Sequence, residues 1–291
     1  MFLVCYPQGG WNDMMSRIMY CHKYCEATGR TLILDTSKNW FRDDFSYYFN
    51  LSLPRMFKGG NVSEFITMLY KKHSVFPSLL KGMNNDAFPP IIWKAPGHME
   101  TDTGIVVSTR LNVYYTETVV VYADCGSAIH INDILLHTYF TSVVLDIFHH
   151  RYKQLPSGYI GVHIRNTDYQ SPVEEFIKQH ESIFRSRVIF IASDHQPTIN
   201  YFQKEYNALS FSMIPEVPPG KNIHESDEAQ QLRTTVEQTR QFNIDTMVDF
   251  LLLAASSEFY FSSKQSGYSR SVAYLHSEQE LVKKIIQDTQ K

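Results

Sequence analysis

Hydrophobic and polar positions fall along the chain in blocks that read as strand, turn and helix. Residues 2–6 form a short apolar run, Pro7-Gln8-Gly9-Gly10 a tight turn, residues 11–26 a helix and residues 31–35 a second apolar run. Met14, Met15, Ile18, Met19 and Cys25 share one helical face, suited to cover a sheet, and Gly29 stands where the helix should stop. A strand, turn, helix, strand unit covered in this way favours parallel pairing.

The pattern weakens over residues 38–104, where aromatic clusters, Gly59-Gly60 and Pro89-Pro90 interrupt it and only residues 62–71 predict a helix. Strands return at 104–108 and 118–123, followed by a predicted helix over 132–150. The polar run from Tyr152 to Gly158 then breaks the chain before an apolar strand at 159–164. Beyond it, helices are expected over 172–180 and 198–206, strands over 188–192 and 208–214, and a polar loop around 215–224. A long helix over 228–255, broken near Asn243, a strand at 258–262 and helices over 266–276 and 279–288 complete the pattern. Two α/β domains, residues 1–155 and 156–291, with a ligand cleft between them, are the expected organisation.

Composition narrows the class. With 291 residues, 43% of them hydrophobic and 20% charged, the chain can bury a large core and is not disordered. A formal charge of -3 without a dominant basic block gives no reason to expect nucleic acid as a partner. No apolar run approaches a membrane span, residues 250–255 being far too short, so no stable membrane insertion is expected. The apolar start meets a Pro/Gly turn at once and reads as a strand, not as a secretory leader. Four cysteines without CxxC spacing fit a cytoplasmic location, with Cys21 and Cys25 either packed thiols or a strained bridge.

Candidate chemistry gathers where apolar runs end. The Gly9-Gly10 turn can bring backbone donors to an anion at the start of a helix, and it can equally be a plain steric turn, with Asn12 or Asp13 as caps. The run Gly161-Val162-His163-Ile164-Arg165-Asn166-Thr167-Asp168 turns abruptly from apolar to charged. Arg165 is suited to clamp a diphosphate, while His163 and Asp168 shape the cleft or serve as a buried histidine and a helix cap. Asp194 and His195 end another apolar run, and Ser262, Ser263, Ser266 and Arg270 a third. Neither HExxH nor a clustered His/Cys/Asp set is present, and GxSxG is absent, so no metal is expected and a serine hydrolase lacks its strongest signal.

Taken in order, these motifs resemble a known family. Gly9-Gly10-Trp11-Asn12-Asp13, with the stretch from Thr28 to Asp35, resembles the opening of the rhizobial nodulation fucosyltransferase and its α1,6-fucosyltransferase relatives. The stretch from His163 to Asp168 is similar to their arginine-rich donor motif, Ile191-Ala192-Ser193-Asp194 to the strand-end aspartate motif that follows, and Phe261-Ser262-Ser263 with Ser266 to Arg270 to their final donor loop. The resemblance implies a GT-B fold, two Rossmann-like domains facing a cleft, with the last helix able to cross back. It implies an inverting, metal-independent transferase that needs no cofactor, takes GDP-fucose as donor and uses an oligosaccharide or glycan as acceptor. By the same carry-over Arg165 neutralises diphosphate, Asp194 orients the nucleotide, Asp249 supports the donor pocket, and Ser262 and Ser263 hold phosphate or sugar. Gly9, Gly10, Asn12, His163 and Ser266 complete the donor-binding set.

Two positions depart from the family pattern. Asn166 stands where the relatives carry a second arginine, which removes a fixed charge but keeps hydrogen-bonding capacity. The insert that bears the relatives' acid/base glutamate is missing, so Asp168, Glu174 and Asp13 are the candidates to receive the acceptor's proton. Two other functions stay open: a related transferase using another nucleotide sugar, and a noncatalytic nucleotide- or glycan-binding protein.

Overall fold

The structure, a computed structural model, describes residues 1–95, 97–126, 131–167, 172–215, 230–231 and 233–287. It divides into two compact units, one of Met1–Phe45 with Leu51–His137, the other of Ser46–Asn50 with Thr138–Lys291. In chain order the first half carries β1 (Phe2–Pro7), α1 (Trp11–Thr28), β2 (Thr31–Leu34), β3 (Phe49–Leu51), α2 (Val62–Lys72), β4 (Val75–Phe76), β5 (Ile91–Ala95), β6 (His98–Thr101), β7 (Val119–Asp124) and α3 (Ile131–Leu135). There follow β8 (Thr138–Phe140), α4 (Ser142–Tyr152), β9 (Ile160–Ile164), α5 (Val173–Ser186), β10 (Ile189–Ser193), α6 (Gln196–Tyr206), α7 (Val236–Ala254), β11 (Glu258–Phe261), α8 (Gly267–Ser277) and α9 (Gln279–Gln287).

The first unit is built on a parallel sheet in the order β2-β1-β7-β4. Its central strands β1 and β7 are apolar on both faces because a covered parallel sheet offers no wet face. Val4, Ile33, Val119 and Val121 form a core with Ile66, Leu69 and Tyr70 of α2. Helix α1 stops at Gly29, whose φ of 71° is the left-handed conformation that glycine adopts without a Cβ clash. Strands β5 and β6 form a separate antiparallel hairpin.

The second unit has a smaller parallel sheet in the order β10-β9-β11. Ile160, Val162, Ile164, Ile189 and Ile191 pack against Phe176 and Phe184 of α5 and Ile199 and Phe202 of α6. Central strand β9 approaches the end of α7 very closely. A methyl group on Gly161 would lie 2.8 Å from Ser256 Oγ and 3.2 Å from the Leu253 carbonyl oxygen.

Several expected elements differ. The helix expected over 132–150 is divided into α3, β8 and α4, because β8 pairs with β3 and the Thr141 hydroxyl donates to the Tyr47 carbonyl at 2.9 Å. Residues 104–108 and 208–214 supply only single bridges, Glu100 to Val106 and Phe190 to Leu209. Helix α7 passes through Asn243 unbroken. The Asn243 side chain donates to Tyr48 Oη at 3.0 Å and accepts from Arg233 Nη2 at 3.3 Å, so it does not compete for the helix backbone. Helix α4 lies within the second unit, tied to α7 by an Arg151–Asp245 ion pair at 2.5 Å, so that unit, which also takes in Ser46–Asn50, resumes at Thr138 where the sequence pattern suggested a boundary at Pro156. Residues 216–224 of the expected polar loop lie outside the described residues. Among the described residues no helix is long and apolar enough to cross a membrane.

Candidate functional site

All three strands of the second sheet run parallel, so their carboxyl ends emerge on one edge. Arg165 leaves β9 there, Asp194 leaves β10 and Ser262 leaves β11. The chain ties the exits together: Ser262 N–H donates to the His163 carbonyl at 3.1 Å, and Arg165 N–H donates back to Ser262 Oγ at 3.3 Å. Ser193 Oγ donates to the Ile164 carbonyl at 2.7 Å, which fixes β10 against β9 at the same level.

Asp194 is the hub of this edge. Its Oδ2 pairs with Arg165 Nε at 3.0 Å and accepts from Thr167 Oγ1 at 2.5 Å, while Oδ1 accepts the Asn166 N–H at 2.8 Å. The carboxylate is buried and turned into its own protein, where it holds the Arg165 loop. The guanidinium side chain, 20% exposed, is thereby oriented at the strand ends. Asn166 turns aside, its Nδ2 lying 3.3 Å from Thr198 Oγ1 and 3.4 Å from His195 Nδ1.

His163 sits beneath this edge. Its Nδ1 is 2.7 Å from Ser269 Oγ on α8 and its ring lies 4.9 Å from that of Tyr268. Complete burial, reinforced by the nearby Arg165 cation, lowers its pKa to about 3. It is therefore a neutral hydrogen-bonding fixture near pH 7, not a proton acceptor. Ser266 caps α8 by accepting the Ser269 N–H at 3.2 Å, and Ser263 Oγ accepts the Gln265 N–H at 3.3 Å. Both serines thus shape the loop that carries Ser262.

Asp249 stands apart from the Arg165 cluster, buried on α7. Burial raises its pKa to about 7, against the opposing influence of Ser212, with Asp245 adding to the rise. Ser212 opposes that rise as a hydrogen-bonding neighbour of the carboxyl. Asp249 also acts on the buried Tyr268 hydroxyl, which desolvation chiefly raises. Tyr268 lies between Asp249 and His163 in this chain of influence.

Of the remaining candidates, Asp168 is outside the described residues. Glu174 is exposed on the first turn of α5, where it lines a groove with His195 and Thr198. Gly9, Gly10, Asn12 and Asp13 belong to the first unit. Gly9 has φ of 89° and would bring a methyl group 2.8 Å from Asp13 Cβ, so the turn requires glycine; Gly10 caps α1 in an extended conformation, and Asn12 is buried. Nearby, Arg17 of α1 pairs with Asp124 at 3.3 Å and donates to Tyr122 Oη at 3.0 Å and the Cys125 carbonyl at 2.7 Å. The other polar ends of this sheet are also bonded to their own neighbours. Asn39 Nδ2 donates to the Pro7 carbonyl at 2.5 Å, and Asp35 Oδ2 accepts from Asn85 Nδ2 at 2.8 Å.

Sequence reasoning passed over Thr198, Arg17 and Asn85. Thr198 was legible as a polar residue three positions after His195, the spacing of a helix cap. Nothing in the sequence marks Arg17 or Asn85, whose partners are distant along the chain. All four cysteines are free thiols; Cys21 is 3.4 Å from Cys5 Sγ rather than bridged to Cys25. Among the described residues no group of three or more His, Cys, Asp or Glu side chains is placed to hold a metal ion.

No family model and no curated protein matches the sequence. Solved structures do. The structure of NodZ α1,6-fucosyltransferase soaked with GDP-fucose matches with a TM-score of 0.59 and 14% identity, over 94% of this chain and 92% of that one. The same enzyme co-crystallised with GDP gives 0.58 and 12%, over 94% and 91%, and fucosyltransferase NodZ from Bradyrhizobium 0.58 and 14%, over 94% and 92%. Over nearly its whole length, the chain shares the α/β fold of the NodZ fucosyltransferases.

Proposed function

We propose that this chain is a glycosyltransferase of GT-B architecture that moves a sugar, most fittingly fucose from GDP-fucose, to a hydroxyl of an oligosaccharide with inversion and without a metal ion. The observation that carries this reading is the Arg165–Asp194 pair at the strand ends, joined to the Ser262 loop, in a chain with the fold of an enzyme soaked with GDP-fucose. A guanidinium held in place by a carboxylate suits a diphosphate, since little reorganisation is needed as the leaving group gains charge.

In the proposed reaction the acceptor hydroxyl oxygen forms a bond to the anomeric carbon on the face opposite the nucleotide. The bond from that carbon to the β-phosphate oxygen breaks, and its electron pair leaves on GDP. Arg165 neutralises the departing diphosphate, with Ser262, Ser263 and the start of α8 supplying donors. Asp194 acts mainly through Arg165, and Asp249 and His163 support the pocket from below. The acceptor's proton passes to a carboxylate, for which Asp13, Asp168 and Glu174 are the candidates.

The test is incubation of the purified protein with a panel of GDP- and UDP-sugars, release of GDP or UDP being followed by mass spectrometry, and then an acceptor screen. Release of GDP from GDP-fucose alone supports the full reading. Selective turnover of a UDP-sugar replaces the donor, and nucleotide binding without any product marks a binding protein instead.

A further inference from the structure

The second unit carries a groove of about 490 Å³ between α5 and α6 that the strand-end cluster does not use. This is within the size range of small-molecule sites. The α5 wall presents Glu174, Lys178, Glu181 and Arg185, spaced as one helical stripe. Two acids and two bases alternate along it, so their fields largely cancel and the groove favours neither an anion nor a cation.

The four charges are not equivalent. Arg185 is committed, binding Glu181 Oε1 through Nε at 2.9 Å and Nη2 at 2.8 Å and lying 5.4 Å from the centre of the Tyr206 ring. Glu174 and Lys178 make no ion pair among the described residues, although they are four positions apart on the helix. One carboxylate and one ammonium therefore flank the groove as acceptor and donors. The opposite wall carries Tyr201, 45% exposed, whose ring is held edge-on by Phe202 and Tyr206 at 6.0 and 6.1 Å and so presents an oriented aromatic surface. An aromatic surface beside hydrogen-bonding groups, with no net field, matches a neutral ligand that has both C–H faces and many hydroxyls.

We propose that the α5–α6 groove is a binding site for a neutral oligosaccharide, separate from the Arg165 cluster, in which Glu174 binds sugar and leaves the acceptor's proton to Asp13 or Asp168. A sugar face stacks on Tyr201, and ring hydroxyls bond to Glu174 and Lys178. The head of the groove is formed by His195 and Thr198, both within 3.4 Å of Asn166 Nδ2, so occupancy abuts the residue that follows Arg165. The site rests on the groove's own residues and does not require that Arg165 bind a nucleotide.

Calorimetric titration of the full-length protein with cellotetraose, maltotetraose and mannotetraose, each with and without saturating GDP, tests the assignment. At least one tetrasaccharide is expected to bind, with an affinity that GDP leaves unchanged. Tyr201→Ala should weaken that binding about tenfold while Tyr201→Phe, which keeps the ring, stays within about twofold. Lys178→Ala should cost about threefold. The assignment is overturned if none of the three sugars binds, if Tyr201→Ala leaves the affinity unchanged in a protein that melts like the parent, or if GDP displaces the sugar. Sugar binding in a protein that ignores GDP upholds the groove and defeats the nucleotide reading, and GDP binding without sugar binding does the reverse.

Discussion

Both units send polar side chains off the carboxyl ends of a parallel sheet, and they differ in what those side chains hold. In the first unit Asn39, Asp35 and Arg17 turn back onto neighbouring carbonyls and side chains; Arg17 is as exposed as Arg165, but it sits on the flank of α1 and spends its guanidinium on Asp124, the Tyr122 hydroxyl and the Cys125 carbonyl. In the second, Asp194 collects Arg165, Asn166 and Thr167 and fixes a partly exposed guanidinium. Parallel topology alone thus produces polar strand ends. The second unit's contribution is where its oriented charge stands: directly at the exit of a central strand, beside the Ser262 loop, and not on a helix flank.

The largest expected effect separates the two arginines. Arg165→Ala should reduce GDP binding or transfer about a thousandfold, a loss of about 4 kcal/mol in transition-state stabilisation, and, because it strands the buried Asp194, should also lower the melting temperature. Retained turnover would remove Arg165 from its assigned role. Arg17→Ala should lower stability alone. It strands Asp124 in a largely buried position and should cost about 3 kcal/mol of stability, measured by urea unfolding, with GDP affinity in the surviving folded protein unchanged.

Asp249 supplies a pH-dependent contrast. Its folded pKa of about 7 exceeds the ordinary 3.8, so the folded chain holds a proton that the unfolded chain has already released between these values. Its contribution is fully present below pH 3.8 and is lost as pH rises through 7. The shift corresponds to about 4 kcal/mol at pH 8, and an asparagine in the same place still needs hydrogen-bond partners. Asp249→Asn should therefore stabilise the protein by about 2 kcal/mol at pH 8 and hardly at all at pH 4. His163 acts in the other direction: neutral in the fold down to about 3, it loses stability as pH falls below 6.5. Equal melting temperatures for Asp249→Asn and the parent at pH 8 would show that the carboxyl carries no such burden.

The smallest effect is at the α8 cap. Ser266→Ala removes the acceptor for Ser269 N–H and should lower stability by about 1 kcal/mol in thermal unfolding, with a modest rise in the GDP dissociation constant. A change in affinity as large as that of Arg165→Ala would mean that the serine contacts ligand directly.

Much of this was legible in the sequence where local pattern and tertiary structure agree. The first strand, the Gly9-Gly10 turn, α1 and its Gly29 stop follow from residue type, as do β9, β10 and β11 with their polar exits. What escaped depends on partners distant in sequence. Strand β8 exists because β3 is available to pair with it, and Asn243 stays helical because Tyr48 and Arg233 occupy its amide. Arg30, just past the helix stop, is fully buried and donates to the Tyr115 and Glu117 carbonyls at 2.5 and 3.0 Å, partners some 85 residues away. At the site, residue type identified Asp194 as chemically important but not the direction it faces. A carboxylate at a strand end can meet a ligand or brace a neighbour, and only the positions of Arg165, Asn166 and Thr167 separate the two.

Gly161 carries a consequence for how this chain can change over time. It has no functional group, lies four positions before Arg165 on the same strand and faces Ser256 at a distance that excludes even a methyl group. Any substitution there must push β9 away from α7, and a strand is stiff enough to pass that displacement to its end. Drift at Gly161 would thus register as lost chemistry on top of lost stability, so its replacement should be purged among descendants as strictly as that of the arginine it supports.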